Sequence, residues 1–110
     1  MITPHPHQEY LHQEFLVTLN VPPSLEELLV DSLLMLEAQY GFSSFTVNAH
    51  HHENKNLSLA EQVSGRQKKI RFQMYVEAKS LPSLLIHLKQ EFVGTGIQYW
   101  VLPVIEKGIF

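Results

Sequence analysis

Two stretches of the chain alternate apolar and polar residues with a period of two, the signature of a strand with one buried face. In EFLVTLNV, residues 14–21, Phe15, Val17, Leu19 and Val21 share one side and Leu16, Thr18 and Asn20 the other. In QKKIRFQMYVEA, Ile70, Phe72, Met74 and Val76 point inward and Arg71, Gln73, Tyr75 and Glu77 outward. A third stretch, SSFTVNAHHH, alternates as well: Phe45, Val47 and Ala49 form its apolar face, opposed by Thr46, Asn48 and His50. IQYWVLPVIEKGIF is apolar on both sides and reads as a last strand.

Two segments follow the helical period instead. After PPS, Ser24 and Glu27 have the spacing of a capping box. The stripe Leu25, Leu28, Leu29, Leu33 and Leu36 then predicts an amphipathic helix that stops at Gly41. Ser80 is expected to cap a second helix over 81–92, with Pro82 in its first turn and Leu81, Leu84, Leu85, Leu88 and Phe92 as its core stripe. Residues 1–12, rich in proline and histidine, read as an arm outside the domain at 13–110. Residues 53–66 read as a long loop with a helical turn around 57–63.

The order strand, helix, strand, loop, strand, helix, strand makes two βαβ halves. Right-handed crossovers place both helices on one face of a four-stranded antiparallel sheet. The expected class is α+β, a ferredoxin-like βαββαβ sandwich of strand order 4-1-3-2. The other sheet face would carry Leu16, Thr18, Thr46, Asn48, Gln73, Tyr75 and one side of the last strand. Such a mixed, aromatic-bearing face predicts an oligomer interface.

Composition narrows the class without naming an activity. The chain has 110 residues, 45% apolar and 17% charged, with a formal net charge of −3: one globular domain with no basic field for nucleic acid or an anionic membrane. It contains no cysteine, which removes disulfides and thiolate metal sites and fits a reducing compartment. The N-terminal residues lack the charge and apolar core of a secretory signal, and no apolar run approaches the roughly 20 residues that span a bilayer. A soluble, cytoplasmic protein is expected.

Two clusters carry candidate chemistry. On an extended strand His50 and His52 share a face while His51 opposes them, and neutral imidazoles at that spacing can bind zinc, copper or nickel. Further ligands would have to come from Glu53, from a neighbouring subunit, or from His5, His7 and His12. The plainer reading is a histidine-rich strand end. In GRQKKIR, Arg66, Lys68, Lys69 and Arg71 lie within seven residues, and Gly65 would allow close backbone approach of an anion. The plainer reading there is a solvated strand start. Gly94-Thr95-Gly96 could offer backbone N–H groups to an anion, and equally be a helix-ending turn. His87 lies off the main stripe of its helix and reads as a surface residue. No HExxH, GxSxG or acid–base pair stands out, so an enzyme is not expected.

The layout resembles the PII nitrogen-regulatory signalling superfamily, and most closely its domain-of-unknown-function family 3240. EQVSGRQKKIRF and GTGIQYWVLPVIEKGIF carry the resemblance, which runs from about Phe15 to Phe110. It implies a trimer with sheets packed about a threefold axis. It also implies a mobile effector loop, here residues 53–66, and ligands held in clefts between subunits. Members of that family are often encoded beside heavy-metal efflux pumps, so a membrane transporter is a candidate partner. PII proteins hold adenine-nucleotide phosphates with a Gly-Asp-Gly-Lys turn and with C-terminal arginines. Here Gly94 and Gly96 are followed by Ile97 and the arginines are absent, which counts against an adenine nucleotide. Gly65-Arg66-Gln67-Lys68 matches PII loop letters but sits at the other end of the loop. The resemblance implies a non-enzymatic sensor; the residues themselves offer it candidates for a small ligand, Gly65, Arg66, Lys68, Arg71, Gly94 and Gly96, and for a divalent or copper ion, His50 and His52. More distantly the chain resembles CutA, which implies metal binding or metal tolerance without a signalling partner.

Overall fold

The computed structural model describes residues 13–36, 41–50 and 66–110. The elements are β1 (Glu14–Val21), a 3-10 turn (Pro23–Leu25), α1 (Glu26–Leu34), β2 (Phe42–His50), β3 (Arg66–Glu77), α2 (Leu81–Glu91) and β4 (Gln98–Pro103). All neighbouring strands pair antiparallel, in the order β2-β3-β1-β4. This is the expected 4-1-3-2 order read from the other edge, and the α+β ferredoxin-like expectation holds.

β1 and β3 occupy the centre, so each is hydrogen-bonded on both sides. Their alternation decides the core: Val17, Leu19 and Val21 pack with Phe72, Met74 and Val76, and all six are buried. From the helix layer come Leu29, Leu33, Leu84 and Leu88. Leu25, Val30, Leu36, Phe42, Ile70, Leu81, Phe92, Ile97 and Val101 close the rim.

Three details of the sequence reading change. First, β2 runs in the opposite phase. Cross-strand partners share a face, and Phe42 pairs with Met74, Ser44 with Phe72 and Thr46 with Ile70. Thr46 and Asn48 therefore lie on the helix side, while Phe45, Val47 and Ala49 lie on the open face with Arg71, Lys69 and Gln67. The physical reason is Phe42, whose ring packs on Phe72 with centroids 6.0 Å apart. Phe42 and Phe45 are three residues apart, so a strand cannot bury both on one side. Second, Leu28 is 58% exposed and Ser32 takes a buried place in its helix. Third, the helix begins at Glu26 with Leu25 at its N-cap and no side-chain cap bond; Glu26 and Glu27 supply negative charge to the first turn instead. Ser80 stands at the N-cap of α2 but offers only its backbone carbonyl, to Leu84 N.

β3 outruns β1. Arg66 to Lys69 pair only with β2, so the β2–β3 hairpin extends past the end of the central pair. Arg66, read as the last loop residue, is the first of β3; residues 1–12 and 53–65 lie outside the described residues.

Leu28 and Leu29 separate the two views of α1. Leu29→Ala should cost about 2–5 kcal/mol and Leu28→Ala less than about 1 kcal/mol, read from urea midpoints at unchanged slope; equal losses would contradict this packing.

Candidate functional site

The candidate residues divide between the two edges of the sheet. His50, the last residue of β2, is exposed and stands opposite Arg66; Asn48 stands opposite Lys68. Lys68 lies on the helix side of the hairpin. Gly94 and Gly96 lie just before β4, on the opposite edge. Both ends belong to the same end of the sheet, since Gln98 of β4 and Arg71 of β3 flank Asn20 of β1. Three strand spacings separate the edges, about 14 Å at roughly 4.8 Å each. Within one chain the basic hairpin and the glycine turn do not converge.

The glycine turn has a conformational explanation of its own. Gly94 and Gly96 have φ of 77° and 80°, the left-handed region that only glycine enters freely. An added Cβ at either position would meet nothing within 4 Å, so backbone conformation and not space requires glycine here. Thr95 closes the turn, its hydroxyl donating to Phe92 O at 2.7 Å.

Arg71 does not join the basic cluster. It lies on the open face, where its Nε donates to Asn20 Oδ1 at 2.8 Å and its guanidinium stands over the Trp100 ring, 5.2 Å from the centroid. Alternation along β3 separates it from Lys68 on the other side. Around it the open face is built in rows across the strands: Phe45–Arg71–Asn20–Gln98, Ser43–Gln73–Thr18–Trp100 and Tyr75–Leu16–Leu102. Phe45, Tyr75, Trp100 and Leu102 are all exposed. At the centre Thr18 is only 1% exposed, and its hydroxyl has no hydrogen-bond partner among the described residues. The segment after β4 crosses this face. Val104 N bonds Glu14 O, Lys107 pairs with the Glu14 carboxylate, and the Lys107 ammonium lies 4.6 Å from the Tyr75 centroid.

On the helix side, an apolar groove of about 410 Å³ opens between α2 and β4. Leu85, Leu88, Phe92, Val93, Gly96 and Tyr99 line it, with Lys89 at the rim over the Tyr99 ring.

A polar junction ties the helices. The Ser32 hydroxyl donates to Glu91 Oε2 at 2.6 Å, and His87 Nε2 lies 2.9 Å from both Ser32 Oγ and Glu91 Oε2. His87 is thus a half-exposed partner of a buried serine, not a free surface residue. The three do not form a nucleophile–base–orienter relay, because serine and carboxylate meet the same imidazole nitrogen. The i, i+4 spacing of His87 and Glu91 is legible in the sequence; their meeting with Ser32 is not.

No group of three or more His, Cys, Asp or Glu side chains that could hold a metal exists among the described residues. His52 and Gly65 lie outside them. No helix among the described residues is long and apolar enough to cross a membrane.

Residues 11–110 match the family model described as protein of unknown function DUF3240. The chain belongs to that family. No curated protein matches it. A DUF3240 family protein from Shewanella baltica is 23% identical, with a TM-score of 0.70 over 88% of this chain and 96% of the other. A putative PII-like signaling protein from Thermus thermophilus is 20% identical, with a TM-score of 0.60 over 84% and 88%. A functionally unknown protein from Pediococcus pentosaceus is 13% identical, with a TM-score of 0.55 over 91% and 99%. At these identities the likeness is one of fold: this domain has the PII-like form of the ferredoxin-like sandwich.

The junction makes a checkable contribution. Ser32→Ala should lower stability by about 1–2 kcal/mol, through two lost hydrogen bonds at a buried position. A shift in urea midpoint of that size is expected; no shift would show that the junction is only a contact.

Proposed function

We propose that this protein is a non-enzymatic, PII-like regulatory or sensor protein. It self-associates as a trimer through the open sheet face and binds a small ligand or metal ion in the clefts between subunits. Residues 53–66 then present the bound state to a protein partner such as a membrane transporter. The observation that carries the reading is the division of candidate residues: the hairpin with His50, Arg66 and Lys68 lies on one sheet edge and Gly94 and Gly96 on the other, at the same end. A site using both has to be completed by a neighbouring copy. The uncovered Phe45, Tyr75, Trp100 and Leu102 supply the apolar surface for that assembly.

The switch in this reading is thermodynamic. A ligand biases the 53–66 segment only as far as it contacts one of its states better than the other. A cleft between copies makes that contact depend on assembly. Arg71, held by Asn20 and Trp100, serves the interface in this reading and not the ligand.

Native mass spectrometry of the untagged chain, with zinc, copper and a panel of adenine nucleotides, tests the reading. The expected result is a trimer that gains one adduct per subunit from this panel, with uptake weakened by Lys68→Ala or by His50→Ala with His52→Ala. A monomer, or a trimer that takes up none of these, would contradict it. Metal uptake lost with the histidines and unchanged on deleting residues 53–65 would favour the CutA-like alternative, metal binding without a signalling partner.

A further inference from the structure

The groove between α2 and β4 and the segment after β4 are each uncovered, and they match. Ile105, Ile109 and Phe110 are fully exposed. The groove is apolar, of about 410 Å³, toward the lower end of the range that small-molecule pockets span and enough for a few apolar side chains. We propose that Ile109 and Phe110 of one copy seat in the α2–β4 groove of the next. The proposal rests on the self-association proposed above, not on its ligand.

Reach excludes the chain's own tail. Pro103 and Ile97 lie at opposite ends of β4, roughly 20 Å apart at about 3.3 Å per residue. Lys107 is held against Glu14 and Tyr75 on the open face, whereas the groove is on the helix side. The three residues after Lys107 extend at most about 10 Å. Ile109 and Phe110 are fully exposed, so they touch nothing of their own chain.

Charge favours the same match. Glu106 forms no ion pair among the described residues, and Lys89 at the groove rim contacts only the face of Tyr99. In the docked arrangement the carboxylate three residues before Ile109 lies beside that ammonium. Tail and groove are different surfaces, so the contact is head-to-tail, the kind that closes into a ring when its rotation permits. It would run alongside the open-face contact and lock each subunit to the next at the edge that carries Gly94 and Gly96.

The cysteine-free chain makes the test direct. Val93 at the groove is 80% exposed, and Gly108 has open space for a Cβ, so neither site is needed for folding. Val93→Cys and Gly108→Cys are made as separate proteins, mixed and oxidised, while native mass spectrometry of the unoxidised mixture reads assembly. The expected result is a mixed disulfide between the two variants, lost when Ile109 and Phe110 are deleted, with association of the truncated chain weakened at least about tenfold. Assembly at full affinity in the truncated chain, without the mixed disulfide, would overturn tail docking and leave the open-face contact standing. A monomer at every concentration would overturn both. Shielding of Val93→Cys from a maleimide to the same extent with and without the tail would show another occupant in the groove, and also overturn the proposal.

Discussion

The constraint behind every other feature is that two helices cover one face of a four-stranded sheet. β1 and β3 are the central strands, and α1 and α2 cover only the side that carries Val17, Leu19, Val21, Phe72, Met74 and Val76. The opposite face is left to the side chains of the strands themselves. They go some way: Thr18 and Asn20 are buried there, under Trp100, Gln73 and Arg71. Yet the Thr18 hydroxyl has no partner among the described residues, and aromatic rings remain open to water. A 110-residue domain buries a modest share of its surface alone. The proposed association through this face would extend the core instead of adding a separate contact.

The same constraint arranges the site. With the helices on one side, the strand ends and the β2–β3 hairpin are the places where polar side chains can gather without disturbing the core. Strand order sends the hairpin to one edge and the glycine turn to the other. The two candidate ligand elements therefore face outward from the same subunit in opposite directions. In the proposed function each is half of a site, so self-association and ligand binding are one question there.

The central architecture was legible in the sequence because β1 and β3 alternate strictly and both helices carry leucine stripes. What was not legible has a physical cause in each case. β2 is an edge strand, covered little on either side, so Phe42 and Phe45 offered two phases and only packing on Phe72 decides between them. Leu28 has the right spacing for the stripe but is left more than half exposed. That Arg71 and Lys68 lie on opposite faces follows from the alternation of β3, but the hold of Asn20 and Trp100 on Arg71 comes from neighbouring strands and has no local signal. The Ser32–His87–Glu91 junction joins residues 55 and 59 positions apart, which no local pattern reveals. The histidine motif stays where the sequence left it: His50 ends β2, and His52 lies outside the described residues.

The central claim is that the open face is covered by another copy, and Trp100 reports on it directly as the only tryptophan in the chain. Acrylamide quenching of its fluorescence, followed across a dilution series alongside sedimentation velocity, is the decisive measurement. The account predicts that Trp100 is protected in the oligomer and becomes several-fold more accessible as the oligomer dissociates. Equal quenching in oligomer and monomer would place the contact elsewhere and contradict the account.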